Sequence, residues 1–244
     1  GGGDYMRKAC YYAKEILNSD LTGEENFLEF DAVNSSAEVF WNGKSLAVHH
    51  GGYSRFRALI PASDIKEANL LVVCADNSPN EEIYPQTADF TFYGGIYRSV
   101  KIVSVPASHF DLEYFGAPGL RITPVVKGND AEVTVKTFIK NPAGTKVEYK
   151  IYEGEEVIKS ATVDGESTEA VITIENAHLW NGIKDPYLYC LEATLIKDGE
   201  EIDEVCNRFG CRYFSVDPEK GFILNGKEYP LRGVSRHQDR WGIG

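Results

Sequence analysis

Two short stretches hold the side chains best suited to hydrogen-bonding a ligand. One is Arg236-His237-Gln238-Asp239. The imidazole of His237 can donate to a hydroxyl or accept from one, and Arg236 and Asp239 flank it. The other is Asp76-Asn77, which follows the apolar run Leu70-Leu71-Val72-Val73-Cys74 and opens the loop Asn77-Ser78-Pro79-Asn80. An acid and an amide at the end of a strand can hold a ligand, or they can form an Asx turn ahead of Pro79. His237 likewise reads as a ligand contact or as an exposed tail histidine. Both readings stand for each stretch.

The other reactive groups point away from catalysis. The 37 Asp and Glu residues fall mostly in turns and on the polar faces of strands, and no pair is placed for acid–base work. Cys10, Cys74, Cys190, Cys206 and Cys211 are odd in number and irregular in spacing, with no C-x-x-C. A zinc site or a disulfide framework is not expected from that pattern. Cys74 and Cys190 sit in apolar runs and read as buried reduced thiols, which favours a reducing compartment. No metal site and no cofactor are expected in this region.

The elements that must carry these groups read as short strands. Leu28, Phe30 and Ala32 alternate with Glu29 and Asp31. Val39 and Trp41 precede Asn42-Gly43, and Leu46 and Val48 follow it. Asn-Gly between alternating runs is a strong hairpin signal, because a type I′ turn needs positive φ at both central residues. Val133-Val135-Thr137, Val147-Tyr149-Ile151 and Tyr187-Tyr189-Leu191-Ala193-Leu195 each form one face of a strand. Turn chemistry recurs at Asn141-Pro142-Ala143-Gly144, Glu153-Gly154, Asp164-Gly165 and Asp198-Gly199. Strands at this spacing, without long helical patterns, predict all-β sandwiches. One segment is ambiguous: Met6, Ala9, Cys10, Ala13, Ile16 and Leu17 form a helical stripe, yet Cys10, Tyr12, Lys14 and Ile16 also alternate. Pattern alone favours the helix.

Composition breaks near Pro106-Ala107-Ser108 and again near Val216-Asp217-Pro218. They divide the 244 residues into 1–106, 107–215 and a tail, 216–244. The tail reads as a hairpin over Asn225-Gly226 and then a strand from Leu231 to Val234. It is either the start of a further domain or a third edge hairpin of the preceding sandwich. A net charge of −12 with no Lys/Arg cluster argues against nucleic acid and anionic lipid, and says little about a neutral partner such as a sugar. No apolar run is long enough to predict a membrane span. Gly1-Gly2-Gly3-Asp4 shows no leader pattern and is no natural start, so a lost leader stays open beside the expected cytoplasmic location.

Four stretches, in order, resemble glycoside hydrolase family 2, the β-galactosidase and β-glucuronidase family. Val39-Phe40-Trp41-Asn42-Gly43-Lys44 through His49-His50-Gly51-Gly52-Tyr53-Ser54-Arg55-Phe56 is similar to the hairpin of its sugar-binding domain. Asp89-Phe90-Thr91-Phe92-Tyr93-Gly94-Gly95-Ile96-Tyr97-Arg98-Ser99-Val100 resembles that domain's G-G-I-x-R-x-V signature. Trp180-Asn181 through Asp185-Pro186-Tyr187-Leu188-Tyr189 resembles the W-x-P-x-L-Y stretch of the middle domain. Leu224-Asn225-Gly226-Lys227 through Leu231-Arg232-Gly233-Val234-Ser235-Arg236-His237 resembles the start of the catalytic barrel, with Ser235 where Asn is usual. The β-galactosidase branch fits these residues better than the glucuronidase branch.

The resemblance implies an all-β chain: a trimmed, jelly-roll-like sugar-binding β-sandwich over 1–106, then an immunoglobulin-like β-sandwich over 107–215. A stub of a (β/α)8 barrel follows over 216–244. It makes Arg7–Leu17 a strand. It implies the non-catalytic N-terminal part of a retaining hydrolase of terminal β-D-galactosides, whose two catalytic glutamates lie on later barrel strands. The chain then holds no catalytic residue and is inactive alone. A barrel-mouth role in binding sugar passes to His237, with Asp239 beside it, and a loop acid's role passes to Asp76 or Asn77. Arg236 becomes a structural partner of barrel carboxylates. Phe92, Tyr93 and Tyr97 could stack on a sugar or pack in the core. The complete enzyme is compatible with a monovalent or divalent cation, and its partners would be a β-galactoside and copies of itself. Three alternatives remain open: an autonomous carbohydrate-binding module, a related β-glucuronidase- or β-mannosidase-type enzyme of the same family, and a purely structural pair of sandwiches.

Overall fold

The computed structural model describes residues 6–84, 93–167 and 169–235. Among these residues strands dominate, and the helical pieces are three short 3₁₀ turns. The chain forms two compact units. The first holds the described residues up to Pro106 together with Phe115–Ala117, and the second holds Ala107–Tyr114 and Pro118–Val234.

The strands of the first unit are β1 (Ala9–Leu17), β2 (Glu25–Phe30), β3 (Val33–Asn34), β4 (Ser36–Trp41), β5 (Lys44–His50), β6 (Phe56–Ile60), β7 (Ala68–Asp76), β8 (Gly95–Ile96) and β9 (Val100–Val105). One sheet has the order β1-β7-β4-β5, a second β6-β2-β9, and β3 pairs with β8. Alternation along β4 and β7 sends Val39, Trp41, Leu71, Val73 and Ala75 inward, where they meet Leu28 and Phe30 of β2 in one buried cluster. Strand alternation places every second side chain on one face, so each sheet needs only one apolar face to close the sandwich.

β1 is a strand, paired with β7 from Ala9↔Asp76 to Leu17↔Ala68. The helical stripe loses because tertiary pairing outweighs local propensity. A helix here would have needed an apolar face to bury, whereas Ile16 is the one buried residue of β1. Asn42 and Gly43 turn β4 into β5 with φ of 51° and 85°. Asn42 also fastens the turn: its Nδ2 donates to the Asp64 carbonyl and to Asn69 Oδ1, and its Oδ1 accepts from the Leu70 amide.

The second unit contains β10 (His109–Phe110), β11 (Leu120–Lys127), β12 (Asp130–Thr137), β13 (Ile139–Lys140), β14 (Thr145–Glu153), β15 (Glu156–Asp164), β16 (Glu169–Ile174), β17 (Tyr189–Lys197) and β18 (Glu200–Phe209). A β15-β14-β17-β18 sheet and a β11-β12-β16 sheet enclose a core built on Val133, Val135, Tyr149, Ile151, Leu191 and Leu195. The buried Tyr149 hydroxyl is satisfied by Thr137 Oγ1 at 2.9 Å. This is an immunoglobulin-like sandwich.

After it come β19 (Phe214–Asp217), β20 (Gly221–Leu224) and β21 (Lys227–Glu228), a small antiparallel sheet. Asn225 and Gly226 turn β20 into β21 with φ of 49° and 77°. Leu231 to Val234, expected as a strand, forms none. No described strand pairs with it, so its backbone groups lack the ladder that would define a strand. Leu231 and Val234 are accordingly 71% and 93% exposed.

The cysteine reading needs correction. Cys190 and Cys206 form a disulfide between β17 and β18. Cys206 faces Glu192, two positions along β17 from Cys190, so both side chains leave the same face of adjacent strands. Their Cα atoms are 6.7 Å apart, within disulfide reach. Cys10 is exposed, Cys74 half-buried and Cys211 buried. Burial pushes the Cys211 thiol up to about 11.

Candidate functional site

β7 is a central strand, held between β1 and β4, and it delivers Asp76 and Asn77 to one end of the first unit. Its last residue is fixed from both sides, opposite Ala9 and opposite Ser36. The Ser35 amide and hydroxyl both donate to the Asp76 carbonyl at 3.1 Å. Asp76 Oδ1 accepts from the Ser78 amide at 2.8 Å. This is the Asx turn that the following proline favours. The side chain stays half-exposed.

Asn77 is put to a different use. It is 4% exposed. Its Oδ1 accepts from the Lys8 amide and its carbonyl from Arg7 Nε, both at 3.0 Å. Gly94 lies against it so closely that a Cβ there would come within 2.6 Å of Asn77 Cγ. Asn77 therefore locks the segment before β1 and the Gly94 backbone onto the end of β7.

The two glycine pairs of the sequence motifs serve the same packing. Gly95, with φ of 105°, brings its backbone against the Tyr12 hydroxyl, and a Cβ at Gly52 would meet Asn34 Oδ1. Asn34, 7% exposed, donates its Nδ2 to the Tyr93 carbonyl. The Tyr97 hydroxyl donates to the Gly52 carbonyl, and Arg98 Nη1 donates to the Tyr53 carbonyl at 3.2 Å. Asn34, the residue that joins both motifs, was not singled out from the sequence. Its signal was available only as a polar residue ending an otherwise buried run.

Tyr93 and Tyr97 are each 47% exposed. Partial burial pushes the Tyr97 hydroxyl above its ordinary value. His49 of the hairpin motif stacks on Phe56 at 4.3 Å, and its burial lowers the imidazole pKa. It is a core-edge residue. Phe92, Arg236, His237 and Asp239 lie outside the described residues.

Glu29 of β2 and Asp31 just after it are clamped by cations. Arg57, its side chain 4% exposed, donates to Glu29 Oε2 at 2.7 Å. Arg55 grips Asp31 Oδ1 at 2.8 Å and holds that carboxyl below its ordinary value. Glu175 and Asp217 are also displaced downward, by a Lys159 hydrogen bond and by backbone amides respectively. A general acid in glycoside hydrolysis needs the opposite displacement. Among the described residues no group of His, Cys, Asp and Glu is arranged to hold a metal ion. No helix of the described residues is long and apolar enough to cross a membrane.

Within the second unit, Asn225 fastens the small sheet to the segment that carries Trp180 and Asn181. Its Nδ2 donates to the Trp180 carbonyl at 3.0 Å and to Asn181 Oδ1 at 2.8 Å. The Tyr229 hydroxyl accepts from the Ile183 amide at 3.0 Å, against Gly182. Arg212 lies over the Trp180 ring at 4.8 Å. The tryptophan motif and the Asn-Gly hairpin are thus two halves of one junction.

Known proteins match both units. The model of the glycosyl hydrolases family 2 sugar binding domain matches residues 4–106, and that of glycosyl hydrolases family 2 matches residues 118–212. The chain is 37% identical over 99% of its length to a β-glucuronidase of Bacteroides fragilis, of which it covers 36%. It is 31% identical over all of its length to a β-galactosidase of Bacteroides ovatus, covering 29% of that protein. Among solved structures, the FMN-binding β-glucuronidase from Facaelibacterium prausnitzii superposes with a TM-score of 0.91 at 38% identity, over 98% of this chain and 38% of that one. The chain spans about a third of the length of the curated relatives it matches. The sandwich order, the interlocked glycine motifs and these matches agree: the chain belongs to glycosyl hydrolases family 2 and comprises its sugar-binding domain and the immunoglobulin-like domain that follows.

Proposed function

We propose that this chain is the non-catalytic, sugar-facing part of a retaining family 2 hydrolase of terminal β-linked sugars. The observation that carries the proposal is the end of β7. Asp76 is anchored through its backbone and one carboxylate oxygen yet stays partly exposed, and its neighbour Asn77 packs against Gly94. Such an anchored acid is preorganised to accept hydrogen bonds from sugar hydroxyls. Asn77 is buried in packing, so Asp76 takes the ligand role of the two, and His237 and Asp239 are its proposed companions.

A β-glucuronide is the first substrate for the complete enzyme, supported by the relative at 37% identity. A β-galactoside, the branch favoured by the sequence motifs, is the second, supported by the relative at 31% identity. The test joins residues 1–235 of this chain to the remaining part of the Bacteroides fragilis relative and compares nitrophenyl β-glucuronide with nitrophenyl β-galactoside. Asp76→Asn should raise KM about tenfold, as expected for one charge-assisted hydrogen bond. Unchanged KM and kcat in that variant would remove Asp76 from the sugar site. The preferred substrate of the complete parent enzyme, not of the chimera whose barrel comes from the β-glucuronidase, decides between the two readings.

A further inference from the structure

A cleft of 520 Å³ opens on the first unit, lined by Asp31, Tyr53, Arg55, Arg98, Ser99 and Gly116. It shares no lining residue with the Asp76-Asn77 loop. One wall is backbone: Gly116, with φ of 66°, lies so close that a Cβ there would stand 2.4 Å from the Arg55 carbonyl oxygen. Behind Asp31 and Arg55 the ion-pair network runs on to Glu29, Arg57 and Lys101, which do not line the cleft. Arg55 holds Asp31, Arg57 holds Glu29 beneath it, and Lys101 lies 3.7 and 3.8 Å from the two acids.

Arg98 is the fourth cation. Its Nη1 reaches the Tyr53 carbonyl, and its guanidinium lies 5.2 Å from the Tyr97 ring centroid. Among the described residues no carboxylate pairs with it. The cleft is therefore locally cationic in a chain of net charge −12. Tyr53, 51% exposed, adds an aromatic face, and Ser99 adds a hydroxyl.

We propose that this cleft binds a sugar residue bearing one carboxylate, a hexuronate. The Arg98 fork takes the carboxylate, for which guanidinium geometry is suited. The Tyr53 ring packs against the apolar face of the pyranose. Asp31 and Ser99 hydrogen-bond its hydroxyls. Asp31 stays ionised because Arg55 holds it, so it accepts from hydroxyls and repels a second carboxylate. That favours a single carboxylate set among hydroxyls over an acidic peptide. Binding here requires no turnover and stands or falls apart from the proposed reaction.

The test is a titration of the isotope-labelled 244-residue chain, followed by amide chemical shifts. The probes are methyl β-D-glucuronide and methyl β-D-glucoside, which differ only at the C6 carboxylate. The glucuronide should saturate in the millimolar range and move the amides of Tyr53, Arg55, Arg98 and Ser99. The glucoside should bind at least about tenfold more weakly, the effect of one lost charge-assisted contact. Arg98→Gln should reduce glucuronide binding to the glucoside level, and Tyr53→Ala should weaken both. If Arg98→Gln loses its dispersed spectrum, the pair of probes on the unaltered chain decides. Equal affinity for the two sugars, shifts confined to other surfaces, or tighter binding of a tetraglutamate peptide would each overturn the proposal.

Discussion

Asp76 and Asn77 are chemically close neighbours, yet the fold separates their roles within one peptide bond. Asp76 ends a strand and keeps its carboxylate partly in solvent. Asn77 turns into the protein and is covered by Gly94. Gly94→Ala should therefore cost about 1–3 kcal/mol through overpacking against Asn77, read as a lower urea midpoint with unchanged slope. The clamp on Asp31 has a pH consequence. Its pKa is lower folded than its ordinary 3.8, so the stabilisation is present above that value and is lost as pH falls through the folded value. Stability measured by urea unfolding should drop as pH falls below about 4, and Asp31→Asn should flatten part of that drop. An Asp31→Asn profile as steep as that of the unaltered chain would show that the Arg55 contact contributes nothing.

At the scale of elements, asparagines do much of the fastening. Asn69, 2% exposed, accepts from the Lys66 amide and Asn42 Nδ2 and donates to the Ile16 and Lys66 carbonyls. It joins β1, the β4–β5 turn and the start of β7. Asn69→Ala should cost about 2–4 kcal/mol, because several buried partners lose their bond at once. Asn225→Ala should release the small sheet from Trp180 and Asn181. Hydrogen exchange would then rise across residues 213–229 while the core of β14 and β17 keeps its protection. The Asn-Gly hairpins were legible in the sequence because positive φ has a residue signature. The sandwich strands were legible because their alternation is strict. β1 was not legible from pattern, since an edge strand with one buried residue carries almost no period-two signal. The Cys190–Cys206 bridge was hidden as well, because it depends on the register of β17 against β18. A strand at Leu231–Val234 was expected from its apolar residues, but a strand needs a neighbour, and none of the described strands supplies one.

For the whole molecule, the order of the two sandwiches was readable from the turn spacing and four motifs. The substrate was not, because the residues that touch it are few and the chain spans about a third of its relatives. The motifs pointed to the galactosidase branch, whereas the relatives include a β-glucuronidase at 37% and a β-galactosidase at 31% identity. Motifs that interlock glycines and asparagines report the shared scaffold, not the sugar it serves. The central claim is that this region contributes scaffold and sugar contacts but no bond-breaking group. Enzymes lower barriers by roughly 8–23 kcal/mol, and for glycosidases much of that comes from a carboxyl pair around an enclosed sugar. Hydrogen-bonding groups worth about 0.5–1.5 kcal/mol each cannot replace it. The direct measurement is turnover of nitrophenyl β-glucuronide and nitrophenyl β-galactoside by the purified 244-residue chain, with the Bacteroides fragilis relative as positive control. The account predicts no release of nitrophenol above the buffer rate. Release that disappears on replacing a single Asp or Glu of this chain would contradict it.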